Sequence, residues 1–191
     1  EIAGHRGKIE ITTKHYLDLA RITLDPLIIE RATRIAVYSR NDEASFEAAK
    51  LWADLEPKNP DPHQVLTAMY LRQSNLNKAL NHLEIILEVS DGDFDQKLWM
   101  VANFLISEKD KSLVIKLMER LMVNHMNDAD ALYAYAHILS RIGNVERAEL
   151  LFERILELKP ENEAATMAYI YLLKSKGAMN KALNWLETIL E

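Results

Sequence analysis

The 191-residue chain contains no cysteine. Disulfides, thiolate metal sites and cysteine nucleophiles are therefore excluded. The absence selects no compartment, because cytoplasmic and periplasmic proteins alike can lack cysteine. Only 5 glycines and 5 prolines are present, too few for the many turns of an all-β protein. No run approaches the roughly 18 apolar residues of a membrane helix. Positive charge is also short: the formal net charge is −6, and no basic stripe exists to displace counterions from a phosphate backbone, so nucleic acid is not an expected partner. No phosphate-binding loop, dinucleotide fingerprint or H-E-x-x-H pair occurs. The six histidines (His5, His15, His63, His82, His125 and His137) are scattered, with none paired at i, i+3 or i, i+4, so no metal or other cofactor is expected. No signal peptide is present, but the chain starts at Glu1 without methionine, as expected of a segment excised from a longer chain.

What remains is the composition of a folded helical protein, with 49% hydrophobic and 27% charged residues. The clearest pattern runs from Ala129 to Pro160. Leu132, Tyr135, Ala136 and Leu139 share one helix face, and Ala148, Leu151, Phe152, Ile155 and Leu158 share another. Gly143-Asn144 supplies the turn, and Pro160 cannot continue the second helix. Gly177 and Ala182 follow Gly143 and Ala148 by 34 residues, which sets the period.

This stretch resembles a tetratricopeptide repeat (TPR). Ala136 and Ala148 stand where that family places small residues at a close helix crossing. Leu132, Tyr135, Leu139 and Phe152 stand at its large filling positions, and Pro160 at its terminal proline. The resemblance implies an all-α, right-handed superhelical α-solenoid of five to six units, the first and last incomplete. The expected units of this single domain are 1–25, 26–59, 60–94, 95–128, 129–162 and 163–191. Each pair cannot bury its apolar stripe alone and depends on its neighbours.

In chain order, residues 1–7 read as the tail of a helix ended by Gly7. A second helix follows over 8–24, with Ile11, His15, Tyr16, Leu19 and Ile22 on its inward side. Asp25-Pro26 opens a helix to about Arg40, and Asp61-Pro62 reads as the same device. Residues 90–94 are the loosest joint, where Ser90 and Asp93 suggest a capping box and one residue is inserted before a unit starting near Asp95. In that unit Val114 replaces the small alanine and Met126 the proline. Glu146–Glu149 and Glu153–Glu157 read as solvated outer faces. Trp185, Leu186, Ile189 and Leu190 lack a following helix, so the native chain is expected to continue or to self-associate there.

TPR proteins that hold extended peptides use fixed positions on each first helix. Carried onto this sequence, the resemblance implies candidate contacts at Arg34, Tyr38, Gln64, Arg72, Trp99, Asn103, Tyr133, His137, Arg141, Tyr171 and Lys174, beside Glu30, Ala68 and Met167. Trp99 and Tyr133 are spaced to flank a side chain, or else to fill the inner curve or contact a neighbouring repeat. Asn103 suits a peptide backbone, and Arg72, Arg141 and Lys174 suit carboxylates. No unit has the Lys and Asn four apart of the chaperone-type carboxylate clamp. Residues 25–73, with the preceding EIAGHRG and YLDLARITLDP, also resemble TPR lipoproteins of the Gram-negative outer membrane, some of which deliver substrates to a carboxyl-terminal processing protease. That resemblance implies a bacterial periplasmic lipoprotein adaptor, anchored through a segment before Glu1. The alternative is an assembly module that packs through its ends. No enzyme motif is present, and His137 with Ser140 reads as two groove-lining polar residues. Ala148→Leu is expected to overpack the crossing and cost about 1–3 kcal/mol. An unchanged melting temperature would mean that the register is wrong.

Overall fold

The computed structural model describes the backbone of residues 2–190, and the side chains within it except those of 2–6, Asp95 and 188–190. Among the described residues it is wholly helical. A long helix α1 (Ile2–Thr23) precedes five helix pairs: α2 (Pro26–Tyr38) with α3 (Asp42–Leu55), α4 (Pro60–Arg72) with α5 (Leu76–Val89), α6 (Phe94–Ile106) with α7 (Lys111–Met122), α8 (Ala129–Arg141) with α9 (Val145–Leu158), and α10 (Glu163–Ser175) with α11 (Met179–Leu190). The chain divides into two compact units, residues 1–92 and 93–191, at the joint that the sequence marks as loosest.

The pairs are built from repeated local devices. Asp25, Asn59, Asp128 and Asn162 cap the first helices, each side chain accepting a backbone N–H one or two residues into the helix. Asn41, Asn75 and Asp110 do the same for second helices. Between the helices, Arg40, Ser74, Gly143 and Gly177 take positive φ. At each, the next residue's N–H reaches back to the first helix: Asn41 to Ala36, Asn75 to Tyr70, Asn144 to Leu139 and Ala178 to Leu173, all within 2.8–3.1 Å. Arg40 and Ser74 hold this conformation without being glycine, at a local cost of about 1–2 kcal/mol that the surrounding pair must offset. At equivalent positions of the second helix, four of the five pairs carry a small residue, Ser45, Ala79, Ala148 or Ala182, all buried.

The pair α6/α7 departs from this plan. Val114 occupies its crossing, and the two backbones approach less closely than in α2/α3, α4/α5 or α8/α9. Its turn, 107–110, has four residues where the others have three. The Lys111 ammonium donates to the carbonyls of Ile106 and Glu108, covering the end of α6 in place of the positive-φ turn. The inserted residue thus shows in this turn rather than in 90–94. Helix α6 starts 34 residues after α4, with the Gln96 Oε1 accepting from the Asp93 N–H at 3.3 Å. Ser90 belongs instead to the end of α5, its hydroxyl buried without a partner.

Further expectations need correction. Gly7 does not end a helix, because α1 runs through it with no positive-φ turn to release the chain. The expected inward face of α1 is largely outward, with Ile11, His15 and Leu19 exposed and Ile22 81% exposed. Thr13, Leu17 and Ala20 are buried instead, since their smaller or better-placed side chains let Ile29, Ala32, Ala36, Ala48 and Trp52 pack closely. The cap of α4 is Asn59 with Pro60, not Asp61 with Pro62. The acidic face of α9 is not wholly solvated either. Glu149, with its side chain 14% exposed, accepts from Lys176 and Lys181, and Glu153 accepts from Lys181 at 2.7 Å and from the Tyr169 hydroxyl at 2.8 Å. Hydrogen bonds from the two lysines hold the Glu149 carboxyl below the usual carboxylate range. At α11, the Trp185 ring packs edge-on to Tyr169, while Leu183 and Leu186 are exposed. Ile189 and Leu190 lie outside the described side chains.

One contact has no counterpart in the sequence reading. His63, 4% exposed, donates from Nε2 to the Pro57 carbonyl at 3.0 Å. Its Nδ1 is then an acceptor, and the His82 Nδ1 donates to it at 2.9 Å. Tyr70 stacks on His82, and Lys78 lies over the Tyr70 ring. Burial, then His63 and Lys78, push His82 down to about 4. In the unfolded chain His82 takes its proton near 6.5, so the unfolded state binds more protons between those values. Stability should therefore be unaffected above pH 6.5 and fall as pH drops from about 6.5 to 4. The loss is expected to reach about 1–2 kcal/mol after discounting the half-exposed ring. Melting curves of the native chain and His82→Gln across this range test it. The variant should lose less stability in acid, and equal losses would contradict the assignment.

Candidate peptide-binding faces

None of the eleven candidate residues is buried: all lie half-buried or exposed on first helices. In unit 1, Arg34, Tyr38 and Gln64 come together. With Thr33, Val37, Trp52, Asp61 and Val65 they line a cleft of about 410 Å³. Its floor is apolar, formed by Trp52 and the valines. Trp52 is fixed by donating from Nε1 to Glu56 at 2.7 Å, a carboxylate also held by Asn59 at 2.9 Å. These two hydrogen bonds lower the Glu56 pKa. Tyr38 stands 79% exposed at the rim. On its other side lies a second cleft, lined by Ile9, Glu10, Tyr38, Ser39 and Arg40. The two candidate arginines of this unit already have carboxylate partners. Arg34 bonds Glu30 at 2.8 Å and faces Asp61 at 3.9 Å, and Arg72 bonds Asp42 at 2.6 Å. Arg72 therefore does not present the bare charge expected of it.

In unit 2 the candidates form an aromatic patch. Trp99 on α6 packs on His137 with ring centroids 4.3 Å apart and edge-on to Tyr133 at 5.7 Å. The Tyr133 ring also meets Phe152 at 6.1 Å, and its hydroxyl donates to the Ala164 carbonyl at 3.4 Å. Trp99 and Tyr133 thus touch each other and leave no slot between them, so they do not flank a guest side chain; what they offer is a partly exposed aromatic surface. Burial lowers the His137 pKa, with Arg141 adding to the effect, and burial raises that of Tyr133. Beside the patch, Asn103, Arg141 and Lys174 are exposed, as are Met167 and Tyr171. Neither Arg141 nor Lys174 forms an ion pair among the described residues.

Sequence reasoning named Arg34, Tyr38 and Gln64 but missed Thr33, Val37, Trp52, Asp61 and Val65 as lining of the same cleft. The signal available was the 34-residue register, which puts Thr33 and Val37 on the turns beside Arg34 and Tyr38. It also missed the His63–His82 contact, which joins residues 19 positions apart. Only antiparallel pairing of α4 and α5 brings them together. Among the described residues, no group of three or more His, Asp or Glu is placed to hold a metal, and no helix is long and apolar enough to cross a membrane.

A family model described as tetratricopeptide repeat matches residues 129–172, covering α8, α9 and most of α10. The chain is thus an all-helical repeat protein that carries a TPR in its second unit. It is 25% identical over 153 residues to the TPR repeat-containing protein PA4667 of Pseudomonas aeruginosa; the match covers 80% of this chain but only 26% of that relative's length. Among solved structures, it is similar to the MamA protein, at 16% identity and a TM-score of 0.45, covering 86% of this chain and 90% of MamA. It is also similar to YrrB, described as a TPR protein with an unusual peptide-binding site, at 15% identity and a TM-score of 0.45, covering 92% of this chain and 90% of YrrB.

Because Trp99 helps to bury His137, Trp99→Ala should move the His137 titration midpoint upward toward 6.5. An NMR titration of the two proteins checks this, and an unmoved midpoint would mean that Trp99 does not shield the ring.

Proposed function

We propose that this chain is a non-catalytic scaffold that holds a protein partner by an extended segment laid on its first helices. The observation that carries this is the exposure of all eleven first-helix candidates, three of which share the apolar unit 1 cleft. Two residues from Arg34, Gln64, Trp99, Tyr133 and Tyr171, on the other side of each helix, Ala32, Leu66, Val101, Tyr135 and Tyr169 are buried, so the candidates lie off the buried stripe. A more specific reading follows from the resemblance of residues 25–73: an adaptor anchored at the bacterial outer membrane that presents its partner to a carboxyl-terminal processing protease. A second reading is assembly through the end of the array. It is favoured by the exposed Met179, Leu183 and Leu186 on α11.

Panning of a random 12-residue peptide library against the chain tests the scaffold reading. Enrichment is expected to fall at least tenfold with Arg34→Ala/Tyr38→Ala/Gln64→Ala or with Trp99→Ala/Tyr133→Ala/His137→Ala, at equal helicity. Unchanged enrichment in both variants would contradict a first-helix site. Loss only in Leu183→Asp/Leu186→Asp would favour assembly through the end. Co-elution with the processing protease of the source organism tests the adaptor reading separately.

A further inference from the structure

We infer that the unit 1 cleft selects a segment in which an apolar side chain is flanked by lysine or arginine, rather than by acidic residues; this rests on the scaffold reading above. The cleft's guanidinium, Arg34, already answers to two carboxylates, Glu30 at 2.8 Å and Asp61 at 3.9 Å. The named rim therefore carries one excess negative charge. An incoming carboxylate would have to displace Glu30 and would meet Asp61 across the same guanidinium. An incoming ammonium finds Asp61, half exposed and only loosely engaged. On the far side of Tyr38, Glu10 and Arg40 balance, so that neighbourhood adds no opposing bias. The floor of Val37, Val65 and Trp52, in a volume of about 410 Å³, accepts a leucine- or phenylalanine-sized group. The exposed Tyr38 ring adds an aromatic face on which a cation can rest. Apolar burial thus supplies attraction, and the rim carboxylates supply the choice of partner.

Two labelled 10-residue peptides with the same Leu-Phe-Leu centre serve as probes, one flanked by lysines and one by glutamates. Fluorescence anisotropy against the 191-residue chain should show the lysine peptide binding about three- to tenfold more tightly near 50 mM salt, with the preference shrinking at 500 mM. Asp61→Asn should narrow the preference, and Tyr38→Ala should weaken both peptides, with circular dichroism confirming unchanged helicity. Equal or tighter binding of the glutamate peptide, still sensitive to Tyr38→Ala, would overturn the charge inference and leave the scaffold reading standing. Binding of neither peptide, or binding indifferent to Tyr38→Ala, would overturn both the inference and the use of this cleft by the scaffold.

Discussion

The structure depends on how closely two antiparallel helices can cross. A side chain no larger than serine stands at that crossing in four of the five pairs: Ser45, Ala79, Ala148 and Ala182. The same spacing brings a positive-φ residue to each of those turns, at Arg40, Ser74, Gly143 and Gly177. The two constraints are coupled. A three-residue turn can return the chain only if the helices are near enough for the backbone bond that closes it. Where valine stands at the crossing, at Val114, the turn lengthens and the closing bond gives way to the Lys111 ammonium on the end of α6. The larger side chain and the longer turn occur in the same pair.

Close crossing also decides which residues remain for recognition. With small residues at the crossing and large ones such as Leu66, Leu132 and Tyr169 filling the layer beside it, the buried stripe leaves Arg34, Tyr38, Arg72, Asn103, Arg141, Tyr171 and Lys174 exposed on the first helices. The two units then present different chemistry. Unit 1 offers an apolar cleft whose arginine, Arg34, is already paired with Glu30 and faces Asp61, while Arg72, outside the cleft, is paired with Asp42. Unit 2 offers Trp99, Tyr133 and His137 as a connected aromatic surface beside Arg141 and Lys174.

Much of this was legible in the sequence because its causes are local and repeated. The period, the turn at Gly143-Asn144 and the small residues Ala136 and Ala148 fall at fixed offsets, so α8 and α9 were legible between Ala129 and Pro160. Helix α1 was misread because it has two apolar faces, and periodicity cannot say which one a neighbour covers. Gly7 was misread because a glycine ends a helix only when the following chain turns away. The inserted residue was misplaced because the start of α6 was read near Asp95, whereas Asp93 caps a helix that begins at Phe94. The candidate face was legible as positions but not as states: sequence alone could not show that Arg34 and Arg72 are paired, that Trp99 and Tyr133 touch, or that Glu149 turns inward to two lysines.

The central claim is that partners are held on first helices and not on second ones. The most direct measurement is site-specific photocrosslinking, with a benzophenone amino acid placed at Tyr38, at Tyr171 or at Leu150. All three positions are well exposed, the first two on α2 and α10 and the third on α9. Irradiation with a bound peptide or protein partner should give adducts at Tyr38, Tyr171 or both, and little at Leu150. Adducts confined to Leu150 would contradict the account and move recognition to the second helices.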